Sequence, residues 1–180
     1  MLRRRVGSQF AVFVAAAVLA GPAVAGSGGE LAPERVCPTG ATAEAQVKTM
    51  RCLVNWARRR HGLRPLRRSV LLERSAALRA DEIRRCGDFS HTPCGDSFAS
   101  VFARVGYFRG RVWVGENLAW ATVGAASPRA TIAGWLASPE HRHNLLTRGW
   151  RDGGVALLQA DALFGQPRVV VWVSQFGRRS

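Results

Sequence analysis

The chain has 180 residues, and its 26 Lys and Arg against 12 Asp and Glu give a formal net charge of +14. With 47% hydrophobic residues it has the length and apolar content for one domain with a substantial core, which excludes a disordered polycation. Every basic residue except Lys48 is arginine. The arginines are scattered rather than interleaved with aromatics along one stripe, which argues against a nucleic acid as partner. A solvated basic face is the plain reading of this charge; adhesion to anionic envelope polymers or lipid head groups is the functional one.

The first segment reads as an export leader. Arg3, Arg4 and Arg5 form a positive start, Phe10 to Ala20 is an unbroken apolar run, and Gly21-Pro22 breaks it before Ala23-Val24-Ala25, an A-x-A cleavage site. The run is short for a membrane span, which needs about 20 apolar residues. Residues 1–25 are therefore expected to be a signal peptide, with no transmembrane helix left after cleavage and a destination outside the cell or in its envelope. Residues 26–40, with Gly, Ser and Pro, read as a flexible extension, and residues 41–180 as the folded domain.

Four cysteines follow, Cys37, Cys52, Cys86 and Cys94. An even number in an exported chain favours two disulfides. Among the three possible pairings, Cys37–Cys52 and Cys86–Cys94 close local loops and are preferred. The first would staple the extension to a helix, and the second would fix a loop carrying His91. No C-x-x-C pair supports a structural zinc site.

From Ala41 to His61 the pattern is helical: Ala43, Val47, Met50, Val54 and Ala57 make one stripe, and Gly62 and Pro65 end it. Arg58-Arg59-Arg60 then sits at a helix C-terminus, where basic groups suit the dipole. Ser69 caps a second helix carrying Leu72, Ala76, Ala80 and Ile83 on one face, with Gly87 ending it. Ser97 is expected to cap a third, short helix with Phe98, Val101, Phe102 and Val105 inward, stopped by Gly106. Ser127-Pro128 and Ser138-Pro139 each read as an N-cap followed by proline at the first helical position.

The period then changes. Val155 to Phe164 and Arg168 to Phe176 read as a β-hairpin with a longer turn at Gly165-Gln166-Pro167. Val169 to Val173 is apolar on both faces, which predicts a central strand covered on both sides. Glu116 to Thr122 supplies a further strand. Helices first, strands last and a two-sided strand predict an α/β fold with helices on both faces of a mainly antiparallel sheet.

The residues with chemical potential are few. His91 lies in Asp88-Phe89-Ser90-His91-Thr92-Pro93-Cys94, where a surface loop histidine is the plain reading. Glu116 follows Gly115 within an apolar segment; a buried carboxylate there needs Arg, His or metal as partner, and a structural hydrogen bond is the equal alternative. With Ser138 as N-cap, His141 is the third helical residue, where the dipole favours the neutral imidazole that binds metal or accepts a proton. His143 points elsewhere around that helix, and Asn144 is expected to tie down the following turn. Two His and one Glu could hold Zn²⁺ with one position open, although their spacing alone carries no specificity. There is no H-E-x-x-H, G-x-S-x-G or P-loop, and Ser138 is explained as a cap before it is explained as a nucleophile.

Several stretches in order carry a resemblance. They are Asn55…Arg58…His61-Gly62-Leu63…Pro65-Leu66, Leu72…Ala76, His91, Gly106-Tyr107 and Gly115-Glu116-Asn117-Leu118-Ala119. They continue with Trp135…Ser138-Pro139-Glu140-His141-Arg142…Asn144-Leu145-Leu146, Gly154-Val155 and Trp172…Gln175-Phe176. From Met50 to Phe176 the chain resembles the CAP superfamily (SCP-like; cysteine-rich secretory, antigen 5 and pathogenesis-related proteins), in its compact bacterial form. The resemblance implies a three-layer α-β-α sandwich with a central cleft in which His91, Glu116 and His141 converge. It also implies divalent metal binding in some members and sterol or lipid binding in others, with no general catalytic reaction. Ser138 stands where eukaryotic members often carry a second cleft Glu. Three functions follow as expectations. The first is a secreted, non-enzymatic domain that binds an envelope component, lipid or protein partner through a His/Glu-lined cleft. The second is a metal-assisted hydrolase with His91 and His141 on zinc and Glu116 on water. The third is a polar network with a purely structural role.

Overall fold

The structure, a computed structural model, describes residues 36–180. The leader expected over residues 1–25 and the first part of the extension lie outside the described residues. In chain order the elements are α1 (Ala43–Arg60), β1 (Arg67–Arg68), α2 (Val70–Cys86), a 3₁₀ turn at Pro93–Gly95, α3 (Ser100–Arg104), β2 (Val112–Thr122), α4 (Pro128–Ala137), α5 (Pro139–Leu145), β3 (Asp152–Leu163) and β4 (Gln166–Arg179). One sheet has the strand order β1-β3-β4-β2; only the short β1–β3 pair is parallel. The fold is α/β, with helices on both faces of a mostly antiparallel sheet.

The two-sided strand is β4, and every residue from Val169 to Gly177 is buried. Alternation sends Val170, Trp172 and Phe176 to one face, where they join Met50, Leu53, Val54 and Ala57 of α1 with Ile132 and Trp135 of α4. Val169, Val171 and Val173 go to the other face, against Ala76, Ala80 and Ile83 of α2. α3 adds Val101 and Phe102 beside Leu72 and Tyr107.

Local signals set most boundaries. The hydroxyl of Ser69 accepts from the Leu72 amide, and that of Ser127 from the Ala130 amide. Gly87 closes α2 in the left-handed conformation, φ 60°. Three expectations are corrected. Ser97 does not cap α3: the helix begins at Ser100 with Ala99 at the cap position and no side-chain cap bond. The hairpin turn is not Gly165-Gln166-Pro167 but the tight pair Phe164-Gly165, both at positive φ (55° and 70°). Phe164 is an unusual residue for that conformation; its ring packs 5.1 Å from that of Trp120 and 5.9 Å from that of Phe89, contacts that fix the turn. Arg58, third from the end of α1, is fully buried rather than solvated. It donates to the carbonyls of Arg64, Leu145 and Thr147, joining α1 to the end of α5. Burial, then the nearby Arg151, lowers its pKa to about 10.

Both disulfides close local loops: Cys37–Cys52 and Cys86–Cys94, spanning 15 and 8 residues. Cys37 is buried against α1, and Thr49 donates to the Pro38 carbonyl at 2.8 Å, so residues 36–38 are fastened to that helix.

Candidate functional site

The site straddles β2, the outer strand of the sheet, and three consecutive residues build it. Gly115 faces α5. A Cβ there would lie 2.5 Å from Asn144 Oδ1 and 2.7 Å from Trp150 Cζ2, so glycine is what allows this approach. Glu116 points to the α2 face, paired across the ladder with Gln175. Asn117 points back to the α5 side.

Glu116 is 5% exposed, and both its carboxylate oxygens are occupied. His91 Nδ1–H donates to Oε1 at 2.8 Å. Gln175 Nε2 and Arg79 Nε donate to Oε2 at 2.7 and 3.3 Å. Arg79 fills the rest of its fork with Glu82 Oε2 at 3.0 Å and the Phe98 carbonyl at 2.9 Å. Glu82 also meets Arg104, which reaches solvent, and Ser75 donates to Gln175 Oε1. Arg79, Glu82 and Glu116 have fully buried side chains, so one interior guanidinium is shared by two carboxylates, and Arg104 supplies the second cation from the surface. An anionic Glu116 only accepts, which places a proton on His91 Nδ1. Nε2, on the far side of the ring, takes no part in this pair. The His91 side chain is 24% exposed.

His141 arrives from the other side. Asn117 Nδ2 donates to the His141 carbonyl at 2.9 Å. Asn144 Nδ2 donates to the Glu116 carbonyl at 2.9 Å and to Asn117 Oδ1 at 3.0 Å. Asn144 therefore ties α5 to β2, rather than securing the following turn. Ser138 occupies the N-cap position of α5, but its hydroxyl bonds no backbone amide; it lies 2.8 Å from His141 Nδ1. The His141 pKa is lowered, first by burial and then by the proximity of His91, with Glu140 opposing. A charge on His91 thus disfavours a proton on His141. His143 is exposed.

Glu116 and His91 meet directly, and His141 joins them through Asn117 and Asn144. Arg79, Gln175, Ser75 and Glu82 complete the network; Gln175 is a named residue of the resemblance, Ser75 falls inside its Leu72…Ala76 stretch, and Arg79 and Glu82 lie outside it. A signal for the others was available: Ser75, Arg79 and Glu82 recur at four and three residues beside the apolar stripe of α2, a polar line on a helix that must be covered. The zinc arrangement does not fit this geometry. Among the described residues no three His, Cys, Asp or Glu side chains are grouped to hold a metal, and Glu116 is committed to His91, Arg79 and Gln175. A catalytic zinc takes three protein ligands. Two hollows, one beside α5 near Arg142 and one beside α1, are bounded by other residues.

The profile of the CAP, or cysteine-rich secretory protein, family matches residues 52–176. The chain belongs to that family. Among solved structures it is similar to an outer surface protein of Borrelia burgdorferi (TM-score 0.63, 17% identity, 79% of this chain and 99% of that one). It is also similar to an extracellular SCP-domain protein of Bacillus anthracis (TM-score 0.60, 21% identity, 78% of this chain and 45% of that one). A third is a cysteine-rich secretory protein of Staphylococcus aureus (TM-score 0.59, 17% identity, 76% of this chain and 39% of that one). The chain thus spans less than half of the latter two. No match was found among curated protein sequences. Among the described residues no helix is long and apolar enough to cross a membrane.

Proposed function

We propose that this CAP domain is exported and acts by binding rather than by catalysis, with the His91–Glu116–His141 edge as its recognition element for an envelope component. One observation carries the reading: Glu116 is locked by three partners and holds an imidazole in place, so the ring nitrogens, not the carboxylate, are what the site offers a ligand. Two closed disulfides suit an oxidising compartment, and the extracellular and surface proteins that share the fold favour the same destination.

The test is co-sedimentation of the chain lacking residues 1–25 with envelope fractions and lipid vesicles at physiological salt. Retention in one of these, lost in His91→Ala and in His141→Ala while the fold persists, is the expected result. No retention by the wild type, or retention unchanged in both variants, overturns the reading.

A second reading rests on the continuity of the buried network from Ser75 to Arg104, which makes a structural role for Glu116 sufficient by itself. Under it, Glu116→Ala lowers the melting temperature, and neither histidine variant changes any retention.

A further inference from the structure

A groove of about 450 Å³ lies beside α1, on the face of the sheet opposite Glu116. Its helical wall carries Lys48, Arg51, Asn55 and Arg59, spaced three and four residues apart and so on one stripe. Its other wall carries Leu66 and Arg68, and the backbone of Gly153 and Gly154 contributes to the floor. Asn55 holds the walls at a set distance: its Nδ2 donates to the Leu66 carbonyl at 3.1 Å, and its Oδ1 accepts from the Leu66 amide at 2.8 Å.

The charge along this groove is unbalanced. Glu73 is the carboxylate that meets its cations, taking Arg51 at 3.2 Å and the Arg68 fork at 2.8 Å twice. Lys48 and Arg59, at the two ends of the stripe, are exposed and have no ion pair among the described residues. They are separated by about 16 Å along the helix axis. A single small anion reaches one of them. A chain with an anion at each repeat reaches both and passes the half-neutralised Arg51 and Arg68 between them. A phosphate presents oxygens in several directions and so contacts cations on either wall, and lysine binds it as a point charge without needing a fixed plane.

We propose that this groove binds a linear phosphate-bearing polyanion, such as a polymer of the cell envelope, in extended form along α1. The site is distinct from the His91 edge: Ser174 and Val155 line it from the α1 face of the sheet, while Glu116 and Gln175 point to the α2 face.

The test uses the chain exported by its own leader, with linear inorganic polyphosphate as the probe and orthophosphate, polygalacturonate and phosphatidylglycerol vesicles as comparisons. Lys48→Gln with Arg59→Gln is set against Arg109→Gln with Arg111→Gln, which removes the same charge from a different exposed segment. Polyphosphate binding that exceeds orthophosphate binding, weakens with salt and falls about tenfold in the groove variant but less than about twofold in the control supports the proposal. Equal loss in the two variants reduces the effect to net charge and overturns it. So does a wild type that does not bind polyphosphate at low salt. Polygalacturonate binding as tightly overturns the phosphate assignment, and vesicle binding with a stronger dependence on Lys48 and Arg59 replaces the polymer by a lipid surface. His91→Ala leaves polyphosphate binding unchanged, so the two sites fail independently.

Discussion

Both faces of β4 bury apolar side chains, but the α2 face also buries a line of ion pairs. On the α1 face Trp172 and Phe176 pack into an apolar cluster, and the one polar atom of Trp172 donates to the Ala126 carbonyl at 2.8 Å. On the α2 face, Gln175 opens a line of buried polar groups through Glu116 and Arg79 to Glu82. An apolar cluster loses stability in proportion to the volume removed from it. An ionic cluster depends on completeness, because each partner taken away leaves another charge buried and unpaired. The histidine edge is attached to the second kind of core, and its geometry inherits that dependence.

The largest test of the contrast is a double-mutant cycle. Arg79→Ala should cost about 3–5 kcal/mol, mostly because Glu116 and Glu82 lose their one buried cation, and Trp172→Ala a similar ~3–5 kcal/mol from the cavity. Adding Glu116→Gln to Arg79→Ala should recover about 1–2 kcal/mol, whereas adding it to Trp172→Ala should recover nothing. Urea denaturation measures all of these. Additive losses in both pairs would mean that the two faces do not differ in kind.

A smaller effect separates them by pH. Burial and His91 hold the His141 pKa below the ordinary value of 6.5. As pH falls below that value the unfolded chain takes up the proton before the folded one. The contribution of this group is therefore complete above about 6.5 and is lost progressively below it. Urea midpoints on either side of that pH should show a steeper acid loss in the wild type than in His141→Gln. Parallel curves would sever His141 from the buried edge. Trp172→Phe should leave the pH profile of the wild type intact.

The smallest effect compares two serines with the same sequence context. Ser127→Ala removes a true cap bond and should cost about 1 kcal/mol. Ser138→Ala removes a hydroxyl directed at His141 instead, and should cost less than about 0.5 kcal/mol. A cost for Ser138→Ala equal to that of Ser127→Ala would restore the cap role that Ser138-Pro139 implies.

These serines show where local reading succeeds and where it stops. Ser69, Gly87 and Ser127 act within one helical turn, so neighbouring residues suffice to place them. Ser138 carries the same signal, but its hydroxyl is taken by a ring on the same helix. Ser97 carries it too, and α3 starts three residues later. Arg58 shows the converse. At a helix end it reads as solvated, yet its partners at Leu145 and Thr147 lie on a segment far along the chain.

By itself, the sequence determined the helices with their stripes, the doubly covered strand and a family signature around Gly115-Glu116-Asn117. It did so because hydrophobic period, caps and glycine requirements are set by residues within a few positions of one another. The tertiary structure decided what that signature does. Gly115 admits Asn144 and Trp150, Asn117 holds α5, and Glu116 is filled by His91, Arg79 and Gln175. The residues that complete the buried charges come from α2, β2 and β4, segments brought together only when the sheet closes over its helices. Long-range charge pairing leaves no period in a sequence.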